Sequence, residues 1–283
     1  PWTVREADRK LFGRGVADMK GFIALALAFV PRFVAGKLPV HLALSYDEEV
    51  GCQGAPAMIA RMAQDIPSPR LAIVGEPSLM GIITGHKGIA VHEVTVRGHA
   101  AHSSLVDHGI SANAVAVELM HDLLALAEEL RARADPANGF VPPQATLTIG
   151  VMEGGTASNI LAGHARFQFD LRCPPGEDAE AILAPFKEKC AALDAQLKQK
   201  FADAGVWIEQ HASTPPMTPQ GSEDAVAFVR ALTGENTPPG QVAFAAEGGL
   251  FQAAGFPTVI CGPGSIEQAH QPDEWIALEQ LEK

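Results

Sequence analysis

Three apolar runs in this chain stop abruptly at residues that carry chemistry, and this pattern constrains the fold more than any other feature. LPVHLALSY (residues 38–46) ends in Asp47, Glu48 and Glu49, LAIV (71–74) ends in Gly75, Glu76 and Pro77, and PTVIC (257–261) runs into a Gly/Pro loop that carries His270. Unalternated apolar runs of this kind predict strands buried on both faces, as in a parallel sheet. Ligands of open α/β sheets bind in the crevice outside the carboxyl ends of the strands. Two acidic turns and a histidine are therefore expected to converge at one sheet edge.

The middle of the chain has a different periodicity. IAVHEVTVRG (89–98) alternates, residues 110–133 repeat at helical spacing, ATLTIGVM (145–152) and HARFQFDLR (164–172) alternate again, 177–200 is helical, and VWIEQ begins a closing strand at Val206. The order βαββαβ predicts a ferredoxin-like α+β domain. Buried-strand character returns only after the Pro-rich break STPPMTPQ (213–220). The expected division is therefore an α/β domain with a mostly parallel central sheet, made of residues 1–85 and 214–283, interrupted by an α+β insertion at 86–213. A length of 283 residues suits such a two-domain chain.

Composition excludes several classes of partner. With 33 acidic and 21 basic residues the formal charge is −12, which argues against nucleic acid or an anionic membrane. The longest apolar stretch, 22–30, is far shorter than the roughly 20 residues that span a bilayer, and no signal-peptide pattern precedes it. A cytoplasmic protein is expected. Cys52, Cys173, Cys190 and Cys261 are widely scattered without a CxxC pair, which predicts reduced thiols. The first residue is Pro1 and the chain opens inside a patterned segment, so an N-terminal truncation is expected.

The segment GRGVADMKG (13–21) places a lone Asp18 between a glycine-rich turn and the apolar run FIALALAFV. Together with Glu49, Glu76 and His270 it forms a set of hard oxygen donors and one imidazole, without thiolate, that suits Zn, Mn or Co. Two metals sharing a bridging carboxylate need about five ligand residues, and four are evident. Glu48, adjacent to Glu49, is suited to take a proton from the attacking water and pass it to an amine leaving group. The implied reaction is amide hydrolysis. Each residue alone has a bland alternative: Asp18 as a helix N-cap, the acidic triplet as a solvated turn, His270 as an ordinary polar residue. Only their joint arrangement at strand ends favours a site. His41, within a predicted strand, and His86, at the domain junction, are expected to be polar neighbours rather than ligands.

GRGVADMKG, SYDEEVGCQGA (45–55), VGEPS (74–78), GHKG (85–88), GHAAHSS (98–104), GGTASNI (154–160) and CGPGSIEQAHQPDEW (261–275) together resemble the metallopeptidase-like family of acetylornithine deacetylase, succinyl-diaminopimelate desuccinylase, aminoacylase and carboxypeptidase G. The resemblance spans almost the whole chain. It implies a zinc-peptidase-like catalytic domain with an inserted lid that mediates homodimerisation, and two divalent ions, Zn or Co. It implies Asp18 as the bridging ligand, Glu49 and His270 on one metal, Glu76 on the other, and Glu48 as general base. The remaining ligand is implied to be a histidine of a His-x-Asp motif upstream of residue 1, so one metal position should lack its histidine and the chain alone should be impaired.

In the insertion, the resemblance implies that His102 reaches a partner subunit's active site and donates to the oxyanion; its alternative is a cap on the following helix. Asn159 and Arg172 are implied to hold the substrate, Arg172 by clamping a carboxylate, with a surface ion pair to Asp170 or Glu177 as its alternative. Gly154 and Gly155 shape a turn, since no P-loop pattern follows them. Residues 245–270 resemble the acetylornithine deacetylase branch more than the desuccinylase, and Glu247 in that segment either attracts a cationic substrate side chain or fixes the metal-site loop. The expected activity is hydrolysis of a small N-acyl amino acid, N2-acetyl-L-ornithine, to L-ornithine and acetate in arginine biosynthesis. Another N-acyl-amino-acid deacylase, and a non-catalytic dimerising module lacking one ligand, are the alternatives.

Overall fold

The computed structural model describes residues 2–234 and 236–283. In chain order its elements are β1 (Arg5–Ala7), β2 (Lys10–Phe12), α1 (Gly21–Val34), α2 (Ala55–Asp65), β3 (Ala72–Val74), β4 (Ile83–His86), β5 (Gly88–Arg97), α3 (Ala112–Ala132), β6 (Thr146–Gly154), β7 (His164–Cys173), α4 (Ala179–Lys200), β8 (Gly205–Thr214), α5 (Glu223–Thr233), β9 (Gly240–Val242), α6 (Gly248–Ala253), β10 (Thr258–Ile260), β11 (Trp275–Ala277) and α7 (Leu278–Glu282). They divide into two compact units, one of Pro1–His86 with Pro215–Lys283 and one of Lys87–Thr214.

The first unit contains a four-stranded sheet in the order β3-β10-β4-β9 and a three-stranded antiparallel sheet, β1-β2-β11. In the four-stranded sheet, β3 with β10 and β4 with β9 run parallel, while β10 meets β4 antiparallel. All three residues of β10 are buried, as the unalternated run PTVIC predicts. The sheet packs Val74 and Ile260 against Ile59 of α2 and Phe251 of α6 on one side, and Val259 against Val226 and Val229 of α5 on the other.

One expected strand does not form. Residues 38–46 have no strand pairing, and Leu38, Val40, Leu42, Leu44 and Tyr46 are all exposed. Apolar character specifies a preference for burial, but a strand also needs a hydrogen-bonding neighbour, and among the described residues this segment has none. Two strands rather than three thus precede site residues, β3 before Glu76 and β10 before the loop to His270. Only β10 is buried throughout: in β3 Val74 is buried but Ile73 is exposed, so LAIV is not covered on both faces as expected. The preceding helix α1 is likewise without a buried residue, and Leu27, Phe29, Val30 and Val34 face outward.

The second unit is a four-stranded antiparallel sheet, order β6-β7-β5-β8, with α3 and α4 packed against it. Its connectivity βαββαβ with the two outer strands 2 and 4 is ferredoxin-like. Alternation has a direct structural result here: Val94 and Val96 of β5 and Phe167, Phe169 and Leu171 of β7 point into one apolar core with Leu119 and Leu123 of α3 and Leu183 and Phe186 of α4. Ser111 and Asp178 cap α3 and α4 by accepting from the N–H groups of Ala114 and Glu180. All four cysteines are buried thiols outside any disulfide.

Candidate metal centre

Asp18 lies in a tight turn, residues 16–20, between Gly15 in the left-handed region (φ 81°) and the start of α1. Its own backbone (φ −122°, ψ 92°) is not helical, and α1 starts from Lys20 without a side-chain cap. Asp18 is therefore no N-cap. Glu48 and Glu49 sit in the turn after the exposed segment, closed by the N–H groups of Gly51 and Cys52 donating to the Glu48 carbonyl at 2.9 and 2.8 Å. Glu76 follows β3 across Gly75, where any Cβ would lie 2.2 Å from the Phe22 ring of α1. Only glycine permits that approach. His270 projects from the loop after β10 with φ 56°, a left-handed conformation that is costly for a non-glycine residue and clusters at functional sites.

Of these residues, Asp18, Glu49, Glu76 and His270 come together. His270 Nε2 is 3.3 Å from Asp18 Oδ2 and 3.1 Å from Glu49 Oε2, and one ligand atom from each of the three lies within 4.8 Å of the others. Asp18 is also hydrogen-bonded to Glu76. Burial, then the neighbouring Glu49 charge, raise the Asp18 carboxyl above the usual range, opposed by His270. Glu76, 6% exposed, is pushed up to about 9 by burial and then by Asp18. Glu48 is raised chiefly by burial, against a hydrogen bond from the Cys52 thiol, whose Sγ is 3.4 Å from Glu48 Oε1. Glu247, the residue before α6, is raised by burial, and its Oε1 is buried without a hydrogen-bond partner among the described residues. Its charge acts on both Glu48 and Glu76.

The donor set fits divalent cations. Carboxylates crowded out of water, each disfavouring its neighbour's charge, and a histidine within bonding reach of two of them are the groups that a hard or borderline cation stabilises. Asp18, Glu49, Glu76 and His270 are the residues that would hold it. His41 lies in the exposed segment, whereas His86 is fully buried and its Nε2 accepts from the Gly249 N–H at 2.8 Å, securing the start of α6 behind Glu247.

In the second unit, His102 and Asn159 stand side by side. His102 pairs with Ile160 in an isolated bridge, and the Ser103 N–H donates to the Asn159 carbonyl at 2.9 Å. The His102 ring contacts Ser104 Oγ at 2.8 Å, and the cap of α3 is Ser111, not His102. Arg172 lies elsewhere. It sits near the far end of β7, eight residues and about 26 Å of strand from His164, where the loop carrying Asn159 enters β7. Its Nε donates to Asp170 Oδ2 at 2.8 Å, which is the ion pair weighed from the sequence.

Sequence reasoning missed Glu274. It is 2% exposed and its carboxylate receives N–H groups from the turn that bears Asp18. Its immediate neighbours, Gln271, Pro272 and Asp273, are exposed, so the segment reads as a solvated loop. Trp275, the start of β11, is the one local hint that the chain turns inward there.

Fold and site define a class of amide hydrolase built on clustered carboxylates and a histidine, and comparison with known proteins agrees. The model of peptidase family M20/M25/M40 matches residues 1–283, and the chain belongs to that family. It is similar to the acetylornithine deacetylase of Myxococcus xanthus, 33% identical over an alignment 291 positions long, gaps included, that covers 99% of this chain and 72% of that protein. It is also similar to the acetylornithine deacetylase of Proteus mirabilis, 32% identical over 100% of this chain and 70% of that protein. Among solved structures, a tripeptidase from Staphylococcus aureus superposes with a TM-score of 0.71 at 19% identity, covering 99% of this chain and 73% of its own. An M20 metallo-carboxypeptidase from Sulfolobus solfataricus gives 0.68 at 16% identity, with 98% and 76% covered. The protein is a metal-dependent hydrolase of amide bonds.

Proposed function

We propose that this protein removes the acetyl group from N2-acetyl-L-ornithine, giving L-ornithine and acetate in arginine biosynthesis in the cytoplasm. The observation that carries the chemistry is the convergence of Asp18, Glu49, Glu76 and His270 beside Glu48. The substrate rests on likeness to the acetylornithine deacetylases and on Glu247, a buried carboxylate with an unsatisfied oxygen suited to a cationic side chain.

Asp18, Glu49, Glu76 and His270 would hold the two divalent ions, zinc or cobalt, whose chemistry when bound would be to polarise the acetyl carbonyl and lower the pKa of water. Glu48 then acts as base: its carboxylate takes the water's proton and delivers it to the amide nitrogen as the C–N bond breaks. A carboxyl raised by burial is better matched to that exchange near neutral pH than one at its ordinary value. His102 is proposed to reach a partner subunit's active site and donate to the oxyanion there, with Asn159 beside it holding the substrate. Arg172 is proposed to clamp the substrate carboxylate, which must compete with Asp170 for the guanidinium. A homodimer through the unit Lys87–Thr214 completes this reading.

The test is turnover of N-acetylornithine, N-acetylmethionine and N-succinyl-diaminopimelate by the protein as its gene encodes it, alongside Glu247→Gln. The proposal expects acetylornithine to be preferred and the Gln variant to raise its KM about tenfold, the scale of one lost charged contact. KM for acetylmethionine should be unchanged. Equal effects on both substrates would remove Glu247 from specificity, and preference for a neutral or succinylated substrate would make this a different N-acyl-amino-acid deacylase.

A further inference from the structure

We propose that Glu274 is a positioning residue that sets the geometry of the metal ligand Asp18 by gripping its backbone. This rests on the metal-hydrolase reading above and extends it to a residue outside the ligand set. Both oxygens of Glu274 are doubly engaged. Oε2 accepts from the Gly15 N–H at 2.6 Å and from Arg14 Nη1 at 3.3 Å, and Oε1 accepts from the Ala17 N–H at 2.9 Å and the Asp18 N–H at 3.2 Å. Three amides of one tight turn, with Gly15 left-handed, point inward to a single carboxylate. Such concave backbone arrays bind anions. Here the anion comes from the far end of the same chain.

The grip ties both sides of the site together. The Gly13 N–H donates to the Glu274 carbonyl at 3.0 Å, Arg14 Nη2 donates to the Gln271 carbonyl at 3.2 Å, and β11 pairs with β2 from Trp275 onward. Asp18 and His270 are thus carried by two loops clasped through Glu274, with Val16, Ala17 and Ile276 packed beneath. Groups that hold metal ligands from behind are worth about 10- to 100-fold in metal affinity when removed. A purely structural acid would be dispensable for affinity in the folded protein.

Glu274→Gln keeps the shape but turns an NH₂ toward N–H donors that need an acceptor, and Glu274→Asp keeps the charge but falls short by one methylene. The probe is Co(II) alone, titrated by its visible absorption into the metal-free full chain, with circular dichroism as the check on folding. Gln is expected to weaken Co(II) binding about 10- to 100-fold, and Asp to recover part of the loss. Folded Gln protein with wild-type Co(II) affinity, whatever its Tm, overturns the proposal. Hydrogen exchange on the unmutated protein supplies the independent measurement where Gln does not fold. The Gly15, Ala17 and Asp18 amides must be protected well beyond those of neighbouring loops, and fast exchange at all three overturns the grip. Protected amides in a wild-type chain that binds no Co(II) would overturn the positioning of a metal ligand along with the metal reading, leaving only the clasp. Unprotected amides with normal Co(II) binding would overturn Glu274 alone.

Discussion

The two units of this chain differ in how they treat their most buried carboxylate clusters. In Lys87–Thr214 acids meet cations at the surface: Glu93 and Glu153 share Arg166, Asp170 holds Arg172, and Lys189 bridges Glu118 and Asp122. Arg166 holds Glu153 below its ordinary pKa, and Lys198 does the same for Asp194. In the other unit Asp18, Glu48, Glu76 and Glu247 are all raised by burial, and several of them by one another. Desolvated like charges oppose folding, so a cluster of them marks a place where the working protein brings a cation. The first unit has structural ion pairs of its own, Arg61 with Asp65 and Arg14 with Glu274, but among the described residues only there are carboxylates also crowded against one another away from water.

Replacing the base should separate the two kinds of acid most widely. Glu48→Gln is expected to lower kcat by about 10²- to 10⁴-fold, the usual contribution of a general base, with metal content unchanged by elemental analysis. Glu153→Gln, which removes an exposed carboxylate paired with Arg166, should leave turnover unaltered. Comparable losses in both variants would break the distinction. A smaller effect is expected from the second unit's own contribution to the reaction. His102→Ala should cost about 10²-fold in kcat, the scale of one oxyanion donor, with KM little altered. A KM effect without a kcat effect would move His102 from transition-state stabilisation to ground-state binding.

What was legible in the sequence follows the same divide. The βαββαβ order of the second unit could be read from the chain because alternation and helical spacing are local signals, and each strand finds its partner within the same hundred or so residues. The gathering of Asp18, Glu49 and His270 was legible because acids and a histidine in the turns and loops that border apolar runs are unusual. The segment 38–46 misled, since hydropathy records what a residue prefers and not whether a neighbouring strand exists to satisfy its backbone. Glu274 was illegible for the converse reason: its burial is created by a turn 256 residues away in sequence, and nothing within its own loop distinguishes it from the exposed Asp273. The separation of Arg172 from His102 and Asn159 was also hidden, because a motif gives order along the chain and not which end of a strand a residue occupies.

The smallest effects give the contrast in sign. In metal-free protein the folded state holds the Glu76 proton up to about pH 9, while the unfolded chain releases it near 4.5. The folded state therefore binds more protons across that window, and stability must fall as pH rises through it. His92 acts in reverse. It is 1% exposed on β5, stacked on Phe169 at 5.3 Å, and held below its ordinary pKa of 6.5 by burial first and then by Lys187 of α4. Glu180 on the same helix opposes that shift, and His211 on β8 adds to it. Below 6.5 the unfolded chain takes up the proton that folded His92 refuses, so stability falls as pH falls. Thermal melts in chelator from pH 5 to 8.5 should then show Glu76→Gln removing an alkaline loss of about 3 °C per pH unit. His92→Leu should remove an acidic loss, opposite in sign to that of Glu76. Divalent metal should abolish the alkaline loss in the wild type and leave the acidic one intact, because a cation replaces the Glu76 proton but has no counterpart in the His92 core. An alkaline loss that survives both Glu76→Gln and added metal would mean that the crowded carboxylates are not what links this unit's stability to charge.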